Sequence, residues 1–570
     1  MSEPVILPYR WRFRLVLLML SVLALVIAAR IVHLHLFEDD FLKGQGDARS
    51  LRVVPIPAHR GMILDRNGEP LAVSAPVQSL WFDPRLFSAN EAQIKALARS
   101  LELSVSRLER IIDRSAGKKF VYLRRHMAPA DAENVLALGL DGVFSQSEYK
   151  RYYPAAEVAT HLVGFTNVDG QGQEGMELAY ENWLRGEKGK KRVLKDRLGR
   201  TIKEIQALKE AKPGQDLQLS IDLRLQYLAY RELKAAVQQH RARSGSAVVL
   251  DVQTGEVLAM VNQPSYNPND RSDLKASHVR NRAMTDTFEP GSPMKALTVA
   301  AAMSSGKYSA NSKINTSPGY IRVRNRTIRD HRNYGVLDLG RIISKSSNVG
   351  ATKLALSIEP GAVRNMMYNA GLGRDTGTGF PGERVGSLPF VPEKRVVERA
   401  AMSYGYGLSV TPLQLAQAYL AFGGEGVKPD LSLLKVNEDE GINSERIMPE
   451  KVARQVLEMM EQVTLKGGTG RRAQVPAFRV AGKTGTVHKV GRNGYEEDQY
   501  VAVFAGLAPV ENPRFVAVVV VDEPKGQEYY GGEVAAPVFS RIMAGTLRLM
   551  NVAPDKLPMP LEQQLAWSSP

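Results

Sequence analysis

The longest apolar run in the chain lies near the N-terminus. Residues 15–29, LVLLMLSVLALVIAA, carry no charge, and apolar residues continue past Arg30 to Phe37. Because a long arginine side chain can reach the membrane interface, a single tilted span of about 20 residues fits this pattern. A basic cluster precedes the run, at Arg10, Arg12 and Arg14. This cluster favours a cytoplasmic N-terminus, so we expect residues 1–37 to form a cytoplasmic tail and a transmembrane helix.

A cleaved signal peptide and a buried core helix are the two other interpretations of the N-terminal run. No clean small-residue cleavage site follows it, which favours an uncleaved signal-anchor. With the N-terminus inside, the bulk of the chain lies outside the cytoplasm.

Shorter elements of mixed type follow the apolar run. Asn67 and Gly68 separate two apolar stretches in MILDRNGEPLAVS, which predicts a β-hairpin. Amphipathic helices are predicted within residues 90–140, whereas residues 145–215 are basic, rich in glycine and predicted to be irregular. We expect residues 38–215 to form one non-catalytic module of mixed α/β structure.

Strand patterns occur at both ends of the C-terminal half. A helix is predicted at 222–240, and 290–475 is predicted to be mostly helical. The strand patterns fall at residues 246–261, 479–490 and 499–524. We therefore expect one antiparallel sheet, closed by early and late strands and flanked by helices, in a mixed α/β domain of the α+β type. This domain is assigned to residues 216–550, followed by a tail at 551–570.

Composition narrows the classes of function. The 570 residues carry a net charge of +15, which is compatible with a nucleic acid, an anionic membrane or an anionic polymer as a neighbour. The basic residues are spread along the chain without a zinc-finger or other nucleic-acid signature, so we do not expect nucleic-acid binding. The chain contains no cysteine, which excludes disulfides and metal–thiolate sites.

The stretch FEPGSPMKALT places Ser292 three positions before Lys295. The S-x-x-K pattern occurs six times, starting at Ser115, Ser147, Ser272, Ser292, Ser304 and Ser432. An ordinary helix start explains most such matches, because serine favours the first turn of a helix. Ser292 differs because Glu-Pro-Gly precedes it and an apolar helical run follows it. A lysine with a lowered pKa on the same helix face could accept the proton of a serine nucleophile.

Two later motifs could complete a serine–lysine site. Ser346 and Asn348 form an S-x-N pattern, although the same pattern elsewhere in the chain fits a turn or a cap. Lys483, Thr484 and Gly485 form the single K-[ST]-G tripeptide and precede Thr486. This stretch is not a P-loop, because the required first glycine is Ala477. Neither a G-x-S-x-G nor an H-E-x-x-H motif occurs.

In this order, the three motifs resemble those of the penicillin-recognising serine acyltransferases. The blocks HRGMILDRNGEPLAVS, RYYPAAEVATHLVGFTNVDGQGQEGMELAYENWL and YGYGLSVTPLQLA are similar to class B penicillin-binding proteins, and most of all to the FtsI-type division transpeptidases of Gram-negative bacteria. The resemblance covers most of the chain. It implies a dimerisation-like pedestal at 38–215 and a transpeptidase domain at 216–550.

The resemblance also implies the chemistry of the site. Ser292 would attack the carbonyl between the two D-alanines of a peptidoglycan stem peptide, and Lys295 would accept and relay its proton. Ser346 and Asn348 would assist proton transfer and anchor the substrate. The opposite wall would bind the terminal carboxylate through Lys483, Thr484, Gly485 and Thr486. The backbone N–H groups of Ser292 and Thr486 would form the oxyanion hole. β-Lactams would acylate Ser292, and neither a metal nor an organic cofactor is needed.

The same family implies location and partners. The chain would be a single-pass protein of the bacterial inner membrane with a periplasmic catalytic domain. Its N-terminal span and residues 50–215 would contact a polytopic glycosyltransferase of the FtsW/RodA type and other division proteins.

Three alternatives to a division transpeptidase remain at the level of sequence. One is an elongation-type or condition-specific paralogue. A serine β-lactamase is disfavoured because no E-x-x-x-N pattern occurs between residues 349 and 482. A membrane-tethered sensor or scaffold is disfavoured by the intact motifs.

Pro293, directly after the candidate nucleophile, departs from an ordinary helix start. Proline is tolerated in a first helical turn but offers no N–H and restricts the backbone of Ser292. How Pro293 affects acylation is therefore a question for the structure.

Overall fold

A computed structural model describes residues 9–36, 51–196, 201–437, 441–491 and 494–556. The chain divides into two compact units, each assembled from separate segments. The first unit comprises the described parts of Met1–His59, Pro76–Tyr149 and Gly186–Pro213. The second unit comprises the described parts of Arg60–Ala75, Lys150–Arg185 and Gly214–Pro570.

The helices of the described residues are, in chain order, α1 (Tyr9–Leu36), α2 (Glu91–Ser100), α3 (Val105–Asp113), α4 (Pro129–Leu136), α5 (Thr160–Val163), α6 (Gly175–Ala179), α7 (Glu181–Leu184), α8 (Leu223–Gln239), α9 (Ala276–Val279), α10 (Arg282–Thr285), α11 (Met294–Ser304), α12 (Leu339–Ser344), α13 (Asn348–Ser357), α14 (Ala362–Asn369), α15 (Val396–Met402), α16 (Pro412–Gly423), α17 (Glu450–Glu461) and α18 (Gly531–Leu549).

The strands of the described residues are β1 (Leu51–Ile56), β2 (Ile63–Leu64), β3 (Pro70–Phe82), β4 (Val121–Met127), β5 (Val143–Tyr152), β6 (Gly189–Lys195), β7 (Thr201–Lys209), β8 (Leu217–Gln218), β9 (Ser244–Asp251), β10 (Val257–Gln263), β11 (Lys313–Asn315), β12 (Tyr320–Val323), β13 (Arg326–Arg329), β14 (Val336–Asp338), β15 (Val427–Pro429), β16 (Ser444–Arg446), β17 (Ala481–Gly491), β18 (Gly494–Ala508) and β19 (Phe515–Asp522).

Helix α1 fits the predicted membrane anchor. Arg10–Leu34 is long and apolar enough to cross a membrane, and none of it is buried within the protein. The helix is long because leucine and alanine favour helix and no glycine or proline interrupts it. Phe37, the predicted end of the apolar stretch, lies outside the described residues.

The first unit contains a small helical core and a separate sheet. Helix α2 begins at a capping box, in which Asn90 accepts from the backbone of Gln93 and the Gln93 side chain accepts from the backbone of Asn90. Apolar side chains of α2, α3 and α4 form the core with those of β3 and β4. Strands β1, β6 and β7 form a three-stranded antiparallel sheet.

The prediction that residues 145–215 are irregular is wrong in part. Strands β5, β6 and β7 fall within or overlap this stretch. Strand β6, GKKRVLK, is rich in charge and lacks the alternation of apolar and polar residues that marks a half-buried strand. It forms because its backbone pairs on both sides, with β1 and with β7.

The predicted hairpin at Asn67 and Gly68 is confirmed in the second unit. Strands β2 and β3 pair antiparallel around this turn, and Gly68 has a φ of +89°. The Asp65 carboxylate accepts hydrogen bonds from the backbone N–H groups of Asn67 (2.7 Å) and Glu69 (2.9 Å). Asp65 therefore fixes the turn through local side-chain to backbone bonds.

The predicted antiparallel sheet is also confirmed. Its strand order is β10-β9-β19-β18-β17, and every neighbouring pair is antiparallel. Strands β9 and β10 are buried along their whole length. Such strands appear as continuous apolar runs because both of their faces are covered.

Helices cover both faces of this sheet. Alternate residues of β19 divide between two cores: Val518 packs with α11 and α16, whereas Val519 packs with α8 and α18. Burying a side chain of this size stabilises a fold by about 1.5–3 kcal/mol. The first of these cores therefore packs α11 against the sheet. The predicted boundaries at 38–215, 216–550 and 551–570 stay predictions, and residues 38–50 and 557–570 lie outside the described residues.

Candidate active site

Ser292 lies at the start of α11, in a turn that its neighbours fix. Gly291 has a φ of +63°, and a Cβ atom there would come within 2.5 Å of the Val487 side chain. The Gly291 N–H donates to the carbonyl of Gly405 (3.0 Å). Pro293 is the cap residue before α11. The half-buried Ser292 side chain is therefore held at a helix N-terminus, where negative charge is favoured.

Lys295 is the centre of the candidate site. Its side chain is completely buried. The Nζ atom lies 3.1 Å from Ser292 Oγ, 3.0 Å from Ser346 Oγ and 2.7 Å from the Ser346 carbonyl. It also donates to Asn348 Oδ1 at 2.7 Å. The structure thus brings together the four residues that the sequence singled out from two separate motifs.

Burial lowers the pKa of Lys295 well below its ordinary value. The positive charge of Lys483 lowers this pKa further, whereas the negative charge of Asp330 opposes the shift. A lysine whose pKa is lowered loses its proton more readily than an ordinary lysine, and the free amine can then accept a proton from a serine hydroxyl.

Ser346 is positioned by a strained backbone. Its φ is +58°, in the left-handed region that few residues other than glycine adopt. In this conformation Ser346 Oγ donates to Ser292 Oγ at 2.9 Å. Strained residues of this kind persist where the surroundings fix them, often at functional sites.

Asp330, which lies outside the three sequence motifs, holds the S-x-N segment in place. Its carboxylate accepts from Ser347 Oγ (2.6 Å) and from the N–H groups of Asn348 (2.6 Å) and Val349 (3.0 Å). These donors form the N-terminus of α13, so the carboxylate satisfies groups that the helix leaves unpaired. No pattern in the surrounding RDHRNYG marks this aspartate.

Strand β17 forms the opposite wall. Lys483 is completely buried, donates to the Thr484 carbonyl (3.0 Å), and has its pKa lowered by burial to about 7. Thr484 Oγ1 donates to Thr469 Oγ1 (2.9 Å), and Thr486 Oγ1 accepts from the Gly531 N–H (2.9 Å). Thr469 and Gly531 are further residues of this wall that the motifs alone do not reveal.

Gly485 and Pro293 are packed against each other. A Cβ atom on Gly485 would lie 2.9 Å from Pro293 Cδ and 3.1 Å from the Pro290 carbonyl oxygen. The Pro293 carbonyl accepts from the buried Tyr419 hydroxyl (2.9 Å). The proline after Ser292 is therefore part of the packing that sets the serine turn beside β17.

Glu289, three residues before Ser292, ties the serine turn to other parts of the second unit. Its carboxylate accepts from the Gly407 N–H (2.8 Å) and from the Tyr495 hydroxyl (3.0 Å). The sequence predicted only that Glu-Pro-Gly begins a helix. The bonds to residues more than 100 positions away leave no local signal.

The site contains a buried lysine between two serines, an amide beside the lysine and a K-[ST]-G strand opposite. It is built on a five-stranded sheet covered by helices. This combination defines a serine acyltransferase of the penicillin-recognising class. A family model for the penicillin-binding protein transpeptidase domain matches residues 245–544. A second model, for the penicillin-binding protein dimerisation domain, matches residues 55–219.

Known proteins of this class are similar over nearly the whole chain. The chain is 44% identical to peptidoglycan D,D-transpeptidase FtsI of Escherichia coli K12, covering 96% of this chain and 93% of that protein. It is 42% identical to the probable D,D-transpeptidase PbpC of Pseudomonas aeruginosa, covering 96% of each.

Solved structures of penicillin-binding proteins are also similar to this chain. The transpeptidase domain of Burkholderia pseudomallei penicillin-binding protein 3 is 43% identical with a TM-score of 0.55, covering 60% of this chain and 98% of that one. Penicillin-binding protein 3 of Mycobacterium tuberculosis with aztreonam is 26% identical with a TM-score of 0.67, covering 89% of this chain and 100% of that one.

The chain belongs to the penicillin-binding proteins, among the FtsI-type peptidoglycan D,D-transpeptidases. Its enzymatic activity is that of a peptidoglycan D,D-transpeptidase, and the family acts on stem peptides and binds β-lactams.

Proposed function

We propose that this transpeptidase works through an acyl-enzyme on Ser292, in septal wall synthesis during cell division. The observation that carries the proposed residue roles is the position of Lys295 Nζ, within 3.1 Å of Ser292 Oγ and 3.0 Å of Ser346 Oγ. One buried amine thereby touches both the nucleophile and a second hydroxyl that can pass on its proton.

In the first half-reaction, Ser292 Oγ attacks the carbonyl carbon between the two D-alanines of the donor stem. The new ester C–O bond forms as the amide C–N bond breaks. The serine proton passes to neutral Lys295 and, through Ser346, to the departing amine. In the second half-reaction an amine of a neighbouring stem attacks the ester, and the same groups return the proton to Ser292.

The remaining motif residues bind and polarise the donor. Asn348 anchors the peptide beside Lys295. The Asn348 side chain accepts a hydrogen bond from Lys295 Nζ at 2.7 Å. On the opposite wall, Lys483, Thr484, Gly485 and Thr486 line the place of the terminal carboxylate. The N–H groups of Ser292 and Thr486 act as the oxyanion hole, with the start of α11 favouring the developing negative charge.

The septal role and the cellular location rest on similarity and on charge. The FtsI-type relatives support division rather than elongation. The arginines at the start of α1 support a cytoplasmic N-terminus, with the anchor in the inner membrane and the rest of both units in the periplasm. We place the contact with an FtsW/RodA-type glycosyltransferase and other division proteins on α1 and residues 50–215.

Acylation of the full-length chain in detergent tests the proposed nucleophile. Benzylpenicillin should add one acyl group, and peptide mapping should place it on Ser292. Ser292→Ala should abolish the adduct, whereas Ser304→Ala, in another S-x-x-K match, should leave it intact. An adduct on another residue, or rapid hydrolysis of penicillin, would disprove the proposed role.

Complementation tests the division role separately. In cells depleted of their division transpeptidase, the wild-type chain should restore septation and Ser292→Ala should not. If the wild-type chain is acylated normally but septation fails, the protein is an elongation-type enzyme or a paralogue.

A further inference from the structure

A cationic groove of about 610 Å³ lies in the second unit beside the candidate active site. Four of its side chains are basic: Arg332, Arg341, Lys345 and Lys466. None of the residues that line it, all within the described part of the chain, is aspartate or glutamate. We call this feature the basic groove.

The basic groove adjoins both walls of the active site. Lys345 directly precedes Ser346, and its Nζ donates to the Gly467 carbonyl across the groove (2.7 Å). The lining residues from Leu465 to Gly468 end directly before Thr469, which Thr484 contacts at 2.9 Å. The residues that line the groove are therefore direct neighbours in sequence of Ser346, on one wall, and of Thr469, which contacts the other wall.

Two of the four cations are free to meet a ligand. Lys466 and Arg332 are exposed, and within the described chain neither side chain makes a hydrogen bond or an ion pair. Arg332 lies over the ring of Tyr334, 5.3 Å from its centroid. Arg341, by contrast, is 3.7 Å from the Asp338 carboxylate and is partly neutralised by it.

The chemistry of the site indicates which substrate reaches this groove. Ser346 and Lys295 deliver a proton to the departing amine, so by microscopic reversibility the attacking amine enters at the same place. The departing D-alanine has its carboxylate beside Thr484. The rest of an acceptor molecule would then extend past Thr484 and Thr469, and Gly468, the neighbour of Thr469, lines the basic groove.

We propose that the basic groove binds a carboxylate of the acceptor stem peptide, the second substrate of transpeptidation. This inference rests on the proposed function of Ser292. The acceptor is a neighbouring stem that ends in the same D-alanine, so it carries at least one free carboxylate besides its attacking amine. In the step itself, the acceptor nitrogen bonds to the acyl carbon, the ester bond to Ser292 Oγ breaks, and the amine proton returns to that oxygen.

The inference predicts an effect on the acceptor alone. The double variant Arg332→Gln, Lys466→Gln should raise the KM for a stem-peptide acceptor roughly five- to tenfold at low salt, because two exposed charge pairs are lost. The effect should shrink as salt screens the charges. The kcat and the rate of Ser292 acylation by benzylpenicillin should not change, since neither residue touches the reacting atoms.

Steady-state transpeptidation by the full-length chain in detergent tests this, with a D-alanyl thioester as donor. Three acceptors are compared: a stem peptide with a free C-terminal carboxylate, the same peptide amidated at that carboxylate, and D-alanine. The wild-type chain should prefer the free carboxylate to the amide, and the double variant should lose this preference. D-alanine, which is too short to reach the groove, should react equally with both proteins.

The control variant Lys394→Gln, Lys451→Gln removes two exposed lysines that do not line the groove. It should match the wild type in every assay, and equal thermal midpoints should show that all variants fold. An unchanged acceptor KM in the groove variant, or an equal loss with D-alanine, would overturn the inference. If instead the wild-type chain forms no adduct on Ser292 and no product with any acceptor, the proposed function itself has failed.

Discussion

Lys295 and Lys483 are both completely buried, and their charges would repel each other if both were protonated. Lys483 lowers the pKa of Lys295, and burial brings the pKa of Lys483 itself to about 7. The two lysines are therefore coupled: a proton on Lys483 makes it easier for Lys295 to lose its own proton and act as a base.

Lys483→Met should shift the pH dependence of acylation in a defined direction. Removing the neighbouring positive charge raises the pKa of Lys295, so the ascending limb of the acylation rate against pH should move to higher pH. In the wild type, binding of a carboxylate-bearing β-lactam should weaken above about pH 7, as Lys483 loses its proton. Stopped-flow acylation at saturating and limiting penicillin separates the two effects. The exposed Lys451→Met should leave the profile in place, and a limb that moves to lower pH in Lys483→Met would contradict this account.

The contact between Gly485 and Pro293 predicts a measurable coupling. Gly485→Ala forces a Cβ atom to 2.9 Å from Pro293 Cδ and should cost about 1–3 kcal/mol of stability, with slower acylation. Pro293→Ala removes Cδ, so the double variant should lose less than the sum of the single losses. Urea unfolding and penicillin acylation would measure both quantities. Pro449, the cap residue before α17, is the matched control, and Pro449→Ala should be additive with Gly485→Ala. Additivity with Pro293→Ala as well would mean that the two residues do not constrain each other.

A buried ionic cluster in the second unit joins α6 and α7 to Arg60, which precedes β2, and to Arg151, near the end of β5. The completely buried Glu177 carboxylate accepts from Arg60 Nε (2.7 Å) and Arg151 Nε (2.7 Å). Arg60 also pairs with Glu181 at 2.7 Å. A buried pair of this kind is costly to break, because the remaining charge keeps its desolvation penalty.

Glu177→Gln should therefore destabilise the second unit by about 3–5 kcal/mol, since two buried guanidinium groups lose their shared counter-charge. Glu181→Gln, at a site where the carboxylate is 23% exposed, should cost less. The midpoint of urea unfolding would measure the difference. Equal small losses for the two variants would show that Glu177 contributes no more than a surface pair.

The difference between contacts that are local in sequence and contacts that are distant in sequence explains what could be predicted. The strands of the five-stranded sheet and the hairpin at Asn67 and Gly68 were predictable, because apolar runs and turn residues are local signals. The three motifs were predictable as an ordered set of candidate site residues. Asp330, Glu289 and Thr469 were not, because each acts through contacts with residues distant in sequence. Strand β6 was missed because backbone pairing, rather than apolar alternation, holds it.

For the molecule as a whole, the proposed chemistry is confined to the second unit. The motif residues from Ser292 to Thr486 all lie in its last segment, Gly214–Pro570. The first unit supplies α1, whose apolar stretch is not buried within the described parts of the chain. Acylation of Ser292 should therefore be independent of α1, whereas restoration of septation in the cell should depend on what α1 contacts in the membrane.

Replacing α1 with an unrelated single transmembrane helix of equal length separates anchoring from recognition. The variant should stay in the membrane fraction and be acylated by penicillin at the wild-type rate, because no proposed site residue lies in α1. It should nevertheless fail to restore septation in cells depleted of their division transpeptidase, because α1 is proposed to contact a membrane glycosyltransferase. The control exchanges only residues outside the helix, replacing the chain before Tyr9 with an unrelated tail of the same charge, and should complement. Full complementation by the helix replacement would show that α1 is an anchor alone and would move the proposed contact to residues 50–215.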